Sequence, residues 1–202
     1  MENIDHIFYI NLEKRKDRNE EILKELEKMN LNINIERYNA VYRPENPCLG
    51  CTISHLNVIK LAKERRYKNV LIFEDDFQFI VDENTLKDNI DRFFKKSIDF
   101  RVLMLSYESY SKKDYDELIS ITNDSATASG YIVNQKYYDE LINCLEYGSI
   151  MLERTGEHWN YINDQIWKRL QKDDKWFIFN KRLGVQRSSF SDLKNSFVNY
   201  GF

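Results

Sequence analysis

Short, uniformly apolar runs along this chain alternate with longer stretches in which apolar residues recur every three or four positions, a pattern that predicts strands interleaved with amphipathic helices. Ile7-Phe8-Tyr9-Ile10 is the first such run; it ends at Asn11 and reads as a strand covered on both faces. Ile22, Leu26 and Met29, with Leu23 beside them, mark one side of a helix closing near Asn30. Ile33 to Tyr38 reads as a second strand, followed by a loop carrying Pro44, Pro47 and Gly50. The next helix has Ile53, Leu56, Ile59 and Leu61 at apolar positions, which puts Ser54 and His55 in its first turns. Val70-Leu71-Ile72-Phe73 is again uniformly apolar and runs straight into Glu74-Asp75-Asp76. A helix around Leu86 to Phe94, strands at Val102 to Leu105 and Gly130 to Val133, and a helix from Lys136 to Leu145 continue the alternation. A helix at Tyr161 to Leu170, a strand at Trp176 to Phe179 and a packed tail from Arg187 to Phe202 complete it.

Composition restricts what such a chain does. No repeat or Ser/Gly/Pro-rich linker divides the 202 residues, so one domain is expected. A formal net charge of -3, with both signs interspersed, supplies no broad positive field, and a nucleic-acid partner is not expected. The N-terminus lacks a basic start followed by an apolar stretch, and no apolar run approaches ~18 residues. Neither signal peptide nor membrane span is therefore expected, which points to the cytoplasm, or the host cytoplasm for a viral chain. Cys48, Cys51 and Cys144 are too sparse for a disulfide scaffold and fit a reducing compartment. Cys48-x-x-Cys51 has no second cysteine pair or close histidine pair to complete a zinc set, so the simpler reading is buried thiols.

The junction after Phe73 carries the strongest chemical signal. Three successive carboxylates ending a buried strand repel one another unless a cation shares the site. In an extended chain Glu74 and Asp76 share a face and Asp75 opposes them, giving an acid-x-acid arrangement suited to Mg²⁺ or Mn²⁺ bridging to a diphosphate. A solvated turn is the alternative, but the C-terminal ends of α/β strands are where ligand sites gather. Arg15 and Arg18, just past the first strand, are placed to meet a pyrophosphate, and Asn11 a base or ribose; taken alone, such residues are more often a solvated helix face. His55 is a phosphate contact or a structural hydrogen-bonder. Asp164, in an otherwise apolar helical stretch, is a partly buried proton acceptor or a first-turn acid favoured by the helix dipole. His158, between Glu157 and Trp159, is not assigned a role.

In order, Ile10-Asn11-Leu12 with Arg15 and Arg18, then Gly50-Cys51-Thr52-Ile53-Ser54-His55, then Glu74-Asp75-Asp76, resemble the I-N-L-x-x-R-x-x-R, G-C-x-x-S-H and E-D-D blocks of glycosyltransferase family 25. Ala128-Ser129-Gly130 and Asp164 extend the likeness, whereas Gly184 to Asp192 matches only loosely. The family includes bacterial lipooligosaccharide galactosyltransferases, collagen hydroxylysine galactosyltransferases and relatives in large DNA viruses. The resemblance implies a GT-A type (Rossmann-like) α/β fold, with a mixed, mainly parallel sheet flanked by helices. It also implies inverting transfer of a hexose, galactose or glucose, from a UDP-sugar to a glycan or hydroxylated protein, with Mn²⁺ (or Mg²⁺) as cofactor. Carried over, Glu74 and Asp76 hold the metal, and Asn11, Arg15, Arg18, Ser54, His55 and Asp75 frame the donor. An inverting transfer needs one base opposite the departing nucleotide, and Asp164 is the residue chosen. Two other readings stand beside this one: an inactive sugar- or partner-binding module of the same fold, and a metal-dependent nucleotidyltransferase. The latter usually has a Gly-rich phosphate loop, which the first strand lacks.

Overall fold

A computed structural model describes residues 1–31, 33–173, 175–191 and 196–198. The chain begins β1 (His6–Asn11), α1 (Lys16–Lys28), β2 (Ile35–Asn39), α2 (Pro47–Glu64), β3 (Asn69–Glu74), β4 (Phe77–Phe79) and α3 (Glu83–Lys95). It continues with β5 (Val102–Met104), β6 (Glu108–Asp114), β7 (Ile119–Ala126), β8 (Gly130–Asn134) and α4 (Tyr138–Thr155). Three short helices, α5 (His158–Tyr161), α6 (Asn163–Ile166) and α7 (Lys168–Gln171), precede β9 (Trp176–Phe179), β10 (Gly184–Gln186), β11 (Ser189–Ser191) and β12 (Ser196–Val198). Eight strands form one mixed sheet in the order β2-β1-β3-β8-β5-β9-β7-β6. β1 runs parallel to β2 and β3, and β5 parallel to β9; β8 lies antiparallel between β3 and β5, and the β6–β7 hairpin extends the sheet antiparallel to β9.

The uniformly apolar strands are buried on both faces because each face has its own helices. Phe8, Ile10, Val70, Ile72, Val102 and Met104 join one core cluster with residues of α2 and α4. Their neighbours Ile7, Tyr9, Leu71, Phe73 and Leu103 point the other way, into a cluster with α1 and α3. Each large side chain so buried contributes about 1.5–3 kcal/mol. The polar β6 was not foreseen: six of its seven residues are polar or charged, and it lies on the sheet edge, where Lys112 and Lys113 discourage further pairing.

Three expected helices differ from those observed, α4 among them, which runs on past the expected Leu145 to Thr155. α2 starts earlier than its apolar positions suggest: Asn46 Oδ1 accepts from the Leu49 N–H at 3.1 Å and Pro47 takes the first helical position. Ser54 and His55 therefore sit mid-helix rather than in its first turns. Gly50 lies inside this helix because a Cβ there would stand 2.5 Å from the Val41 carbonyl oxygen. The helix expected from Tyr161 to Leu170 is broken into pieces. Ile162 is extended (ψ 152°), and the Asn163 N–H is taken by Thr52 Oγ1 of α2 at 3.1 Å, which starts a new helix at a fixed place. Of the tail, β11 pairs with β12, while residues 192–195 and 199–202, Asp192 among them, lie outside the described residues. Among the described residues no helix is long and apolar enough to cross a membrane.

Candidate active site

β1 and β3 are adjacent and parallel, so Asn11 and Glu74 end at the same edge of the sheet. A cleft of about 490 Å³ opens there, with Arg18, His55, Glu74, Asp75, Asp76 and Gln186 in its lining. Lys14, Tyr42 and Arg43 line it as well, with the Lys14 ammonium 4.5 Å from the Tyr42 ring centre.

The strand alternation expected of the acids stops at Glu74, where β3 ends and Asp75 and Asp76 become the turn into β4. Arg18 collects both: one guanidinium nitrogen lies 2.8 Å from Asp75 Oδ1 and another pairs with Asp76 Oδ2. Asn11 Nδ2 donates to Asp75 Oδ2 at 2.8 Å, and Gln186 Nε2 to Asp76 Oδ2 at 3.1 Å. Glu74 also contacts α2: its Oε1 lies 2.9 Å from His55 Nε2, and His55 Nδ1 lies 2.7 Å from the Tyr131 hydroxyl. Two buried atoms in this group lack a partner among the described residues: Arg18 Nε, a donor, and Asp76 Oδ1, an acceptor.

Burial dominates the charges. It pushes the Asp75 carboxyl up to about 7, aided by Asp76 and Glu74 and opposed by Arg18 and Asn11. It raises Asp76 as well, again against Arg18. Burial opposes ionisation of Glu74 too, but the hydrogen bond and charge of His55, together with Arg18, hold it below its ordinary value. A carboxyl raised on folding binds protons in the folded state that the unfolded chain has released, so stability falls as pH climbs from about 4 toward 7. Asp75→Asn should therefore raise the melting temperature at pH 8 and leave it unchanged at pH 4. The gain is about 2–4 °C for each kcal/mol of relieved strain. Thermal unfolding in chelator at the two pH values reads this; an equal shift at both would contradict it.

Of the other expected donor residues, Ser54 lines the cleft, whereas Arg15 and Asn11 do not. Arg15 does not line the cleft; it forks onto Asp17, with N–O distances of 3.0 and 2.8 Å, and donates to the Phe190 carbonyl at 3.2 Å. Asn11 is buried behind Asp75, with its Oδ1 accepting from Arg37 Nε at 2.9 Å. Ser54 Oγ donates to the Gly50 carbonyl at 2.7 Å and accepts from the Val41 N–H at 2.8 Å, tying the loop after β2 to α2. Ser54→Ala would strand the Val41 N–H. The expected cost is about 1–3 kcal/mol of stability, seen as a lower urea midpoint, with nucleotide-sugar affinity unchanged. A lost affinity at unchanged stability would make the hydroxyl a ligand instead.

Asp164 lies outside the cleft lining but beside it, near enough for its charge to act on Cys48 and Cys51. Its Oδ2 accepts from the Thr127 N–H at 3.0 Å. Thr127 has φ 79°, a left-handed conformation that costs a β-branched residue, and it sits in the small-residue loop between β7 and β8. Burial raises the Asp164 pKa, partly opposed by the Thr127 hydrogen bond and reinforced by the charge of Glu74. His158 packs against Trp159, ring centres 5.1 Å apart, away from these groups.

Sequence reasoning missed Gln186, Tyr131, Lys14, Tyr42 and Arg43. Gln186 stands 110 residues from the aspartate it touches and carries no local signal. Cys51 was detectable, since it precedes His55 by one helical turn and so shares its face.

No protein-family model matches the chain, and no curated protein matches it. Solved structures match its fold. A glycosyltransferase involved in glycosylating the major capsid of PBCV-1 has a TM-score of 0.59 at 10% identity, over 95% of this chain and 97% of that one. The glycosyltransferase GlyE of Streptococcus pneumoniae TIGR4 gives 0.53 at 12% identity, over 88% of this chain but only 45% of its own. A197 from STIV gives 0.50 at 10% identity, over 96% and 93%. The mixed α/β fold is thus one that solved glycosyltransferases share, in keeping with the fold class that the sequence resemblance implied.

Proposed function

We propose that the protein is a cation-dependent glycosyltransferase. It moves a hexose, galactose or glucose, from a UDP-sugar to a hydroxyl of a glycan or hydroxylated protein, with inversion, as a single catalytic domain. The observation that carries this reading is the orphaned pair Arg18 Nε and Asp76 Oδ1, a buried donor and a buried acceptor on residues lining one cleft. A phosphate oxygen satisfies the first and a cation the second. The shared glycosyltransferase fold supports the same conclusion.

The donor set around the orphaned oxygen is carboxylate, which suits Mn²⁺ or Mg²⁺. Asp76 and Glu74 would hold that ion, which when bound would supply charge neutralisation for the departing diphosphate. Arg18 binds the diphosphate and keeps Asp75 and Asp76 in place through the contacts described above. Lys14 and Arg43 add positive charge at the rim, and Tyr42 offers a ring face to the base. Asn11 positions Asp75, and His55, steadied by Tyr131, positions Glu74. Asp164 takes the proton from the acceptor hydroxyl as it attacks.

Incubation with Mn²⁺ and a panel of nucleotide sugars tests this. Release of UDP from one UDP-hexose, accelerated by an acceptor, is expected. Binding without turnover would instead identify an inactive binding module, and pyrophosphate release a nucleotidyltransferase.

A further inference from the structure

Within the same cleft, Cys51, His55 and Glu74 each offer a ligand atom, and the three atoms all lie within 4.8 Å of one another. The sulfur is 3.7 Å and the imidazole nitrogen 2.9 Å from the carboxylate oxygen. Cys51 and His55 are one turn apart on α2, and Glu74 faces them from the end of β3. Their chemistry differs from that of the aspartates: thiolate, imidazole and one carboxylate form a borderline-soft set, preferred by Zn²⁺ over Mn²⁺ or Mg²⁺. All three line the cleft, so a fourth ligand position is open to solvent or an anion.

A second observation points to a ligand here. Asn163 is 2% exposed, its Oδ1 lies 3.8 Å from Cys51 Sγ, and its Nδ2 has no partner among the described residues. The amide that meets Cys51 through its oxygen thus carries a buried donor in need of an acceptor, a role a metal-bound water can fill. The Tyr131 hydroxyl on His55 Nδ1 is the kind of outer contact that orients a ligating imidazole.

We propose that Cys51, His55 and Glu74 form a binding site for a divalent cation of the zinc class, distinct in chemistry from the carboxylate site at Asp76. On binding, the Cys51 thiol proton leaves to solvent as the sulfur–metal bond forms. The imidazole N–H shifts from Nε2 to Nδ1, where it donates to Tyr131, and the Nε2 lone pair turns to the metal. The two sites share Glu74, so a zinc-class ion competes with the harder ion for that carboxylate. The inference does not rest on sugar transfer and is tested without it.

The full chain, freed of metal, is titrated with Co²⁺ alone and followed by absorption. One equivalent should produce a thiolate-to-cobalt charge-transfer band with tetrahedral ligand-field bands, both displaced by Zn²⁺. Cys51→Ser should remove the charge-transfer band and weaken Co²⁺ binding at least tenfold, while Cys48→Ser leaves both intact. Absence of a thiolate band in the wild-type protein at one equivalent, or its survival in Cys51→Ser, would overturn the site.

Discussion

Asp76→Ala is expected to abolish cation-dependent binding of the nucleotide sugar, with affinity in the presence of Mn²⁺ falling at least 100-fold, or about 2.7 kcal/mol. The substitution removes the orphaned Oδ1 together with the acceptor that Arg18 and Gln186 share. Arg18 keeps its contact with Asp75, so the turn itself retains a tether. The sharper variant is Asp76→Asn, which preserves shape and one oxygen but deletes the charge. It should lose most of the Mn²⁺ effect while binding residual donor equally well with and without metal. Calorimetric titration with a UDP-hexose, with Mn²⁺ and with chelator, separates these contributions. Wild-type affinity in Asp76→Ala would remove the residue from the donor site.

The second large effect is on chemistry rather than binding. Asp164→Asn is expected to leave donor affinity within about twofold while slowing transfer by about 10²–10⁴, the span of general-base catalysis. Asparagine keeps an oxygen for the Thr127 N–H, so the loop with its strained residue stays supported. The sign of the pH dependence follows from the environment. Asp164 must be ionised to accept a proton, and burial raises its pKa. The transfer rate should therefore rise with pH through a value above that of an ordinary aspartate, and Asp164→Asn should lose that limb. Unchanged turnover, or a donor affinity that falls in parallel with rate, would assign the base elsewhere.

The apolar strands could be read from the sequence because burial on both faces leaves nothing to mask them: Ile7 to Ile10, Val70 to Phe73 and Trp176 to Phe179 are all strands with two-sided cores. The acids could be read too, because they follow such a strand without interruption. What could not be read was partnership. Strand alternation opposed Asp75 to Glu74 and Asp76, yet the turn at Asp75 brings both aspartates to Arg18, while Glu74 also meets His55. Arg15 and Arg18 look equivalent in sequence, three residues apart at the start of one helix, but only Arg18 faces the cleft. Gln186 and Tyr131 reach the site through sheet order, which no local pattern encodes.

The most direct measurement is anomalous diffraction at the manganese edge from crystals soaked with Mn²⁺ and UDP. The predicted result is a metal peak beside Asp76 and Glu74, with the diphosphate between that peak and Arg18. A vacant cleft, with the metal or the nucleotide bound on another face of the protein, would contradict it.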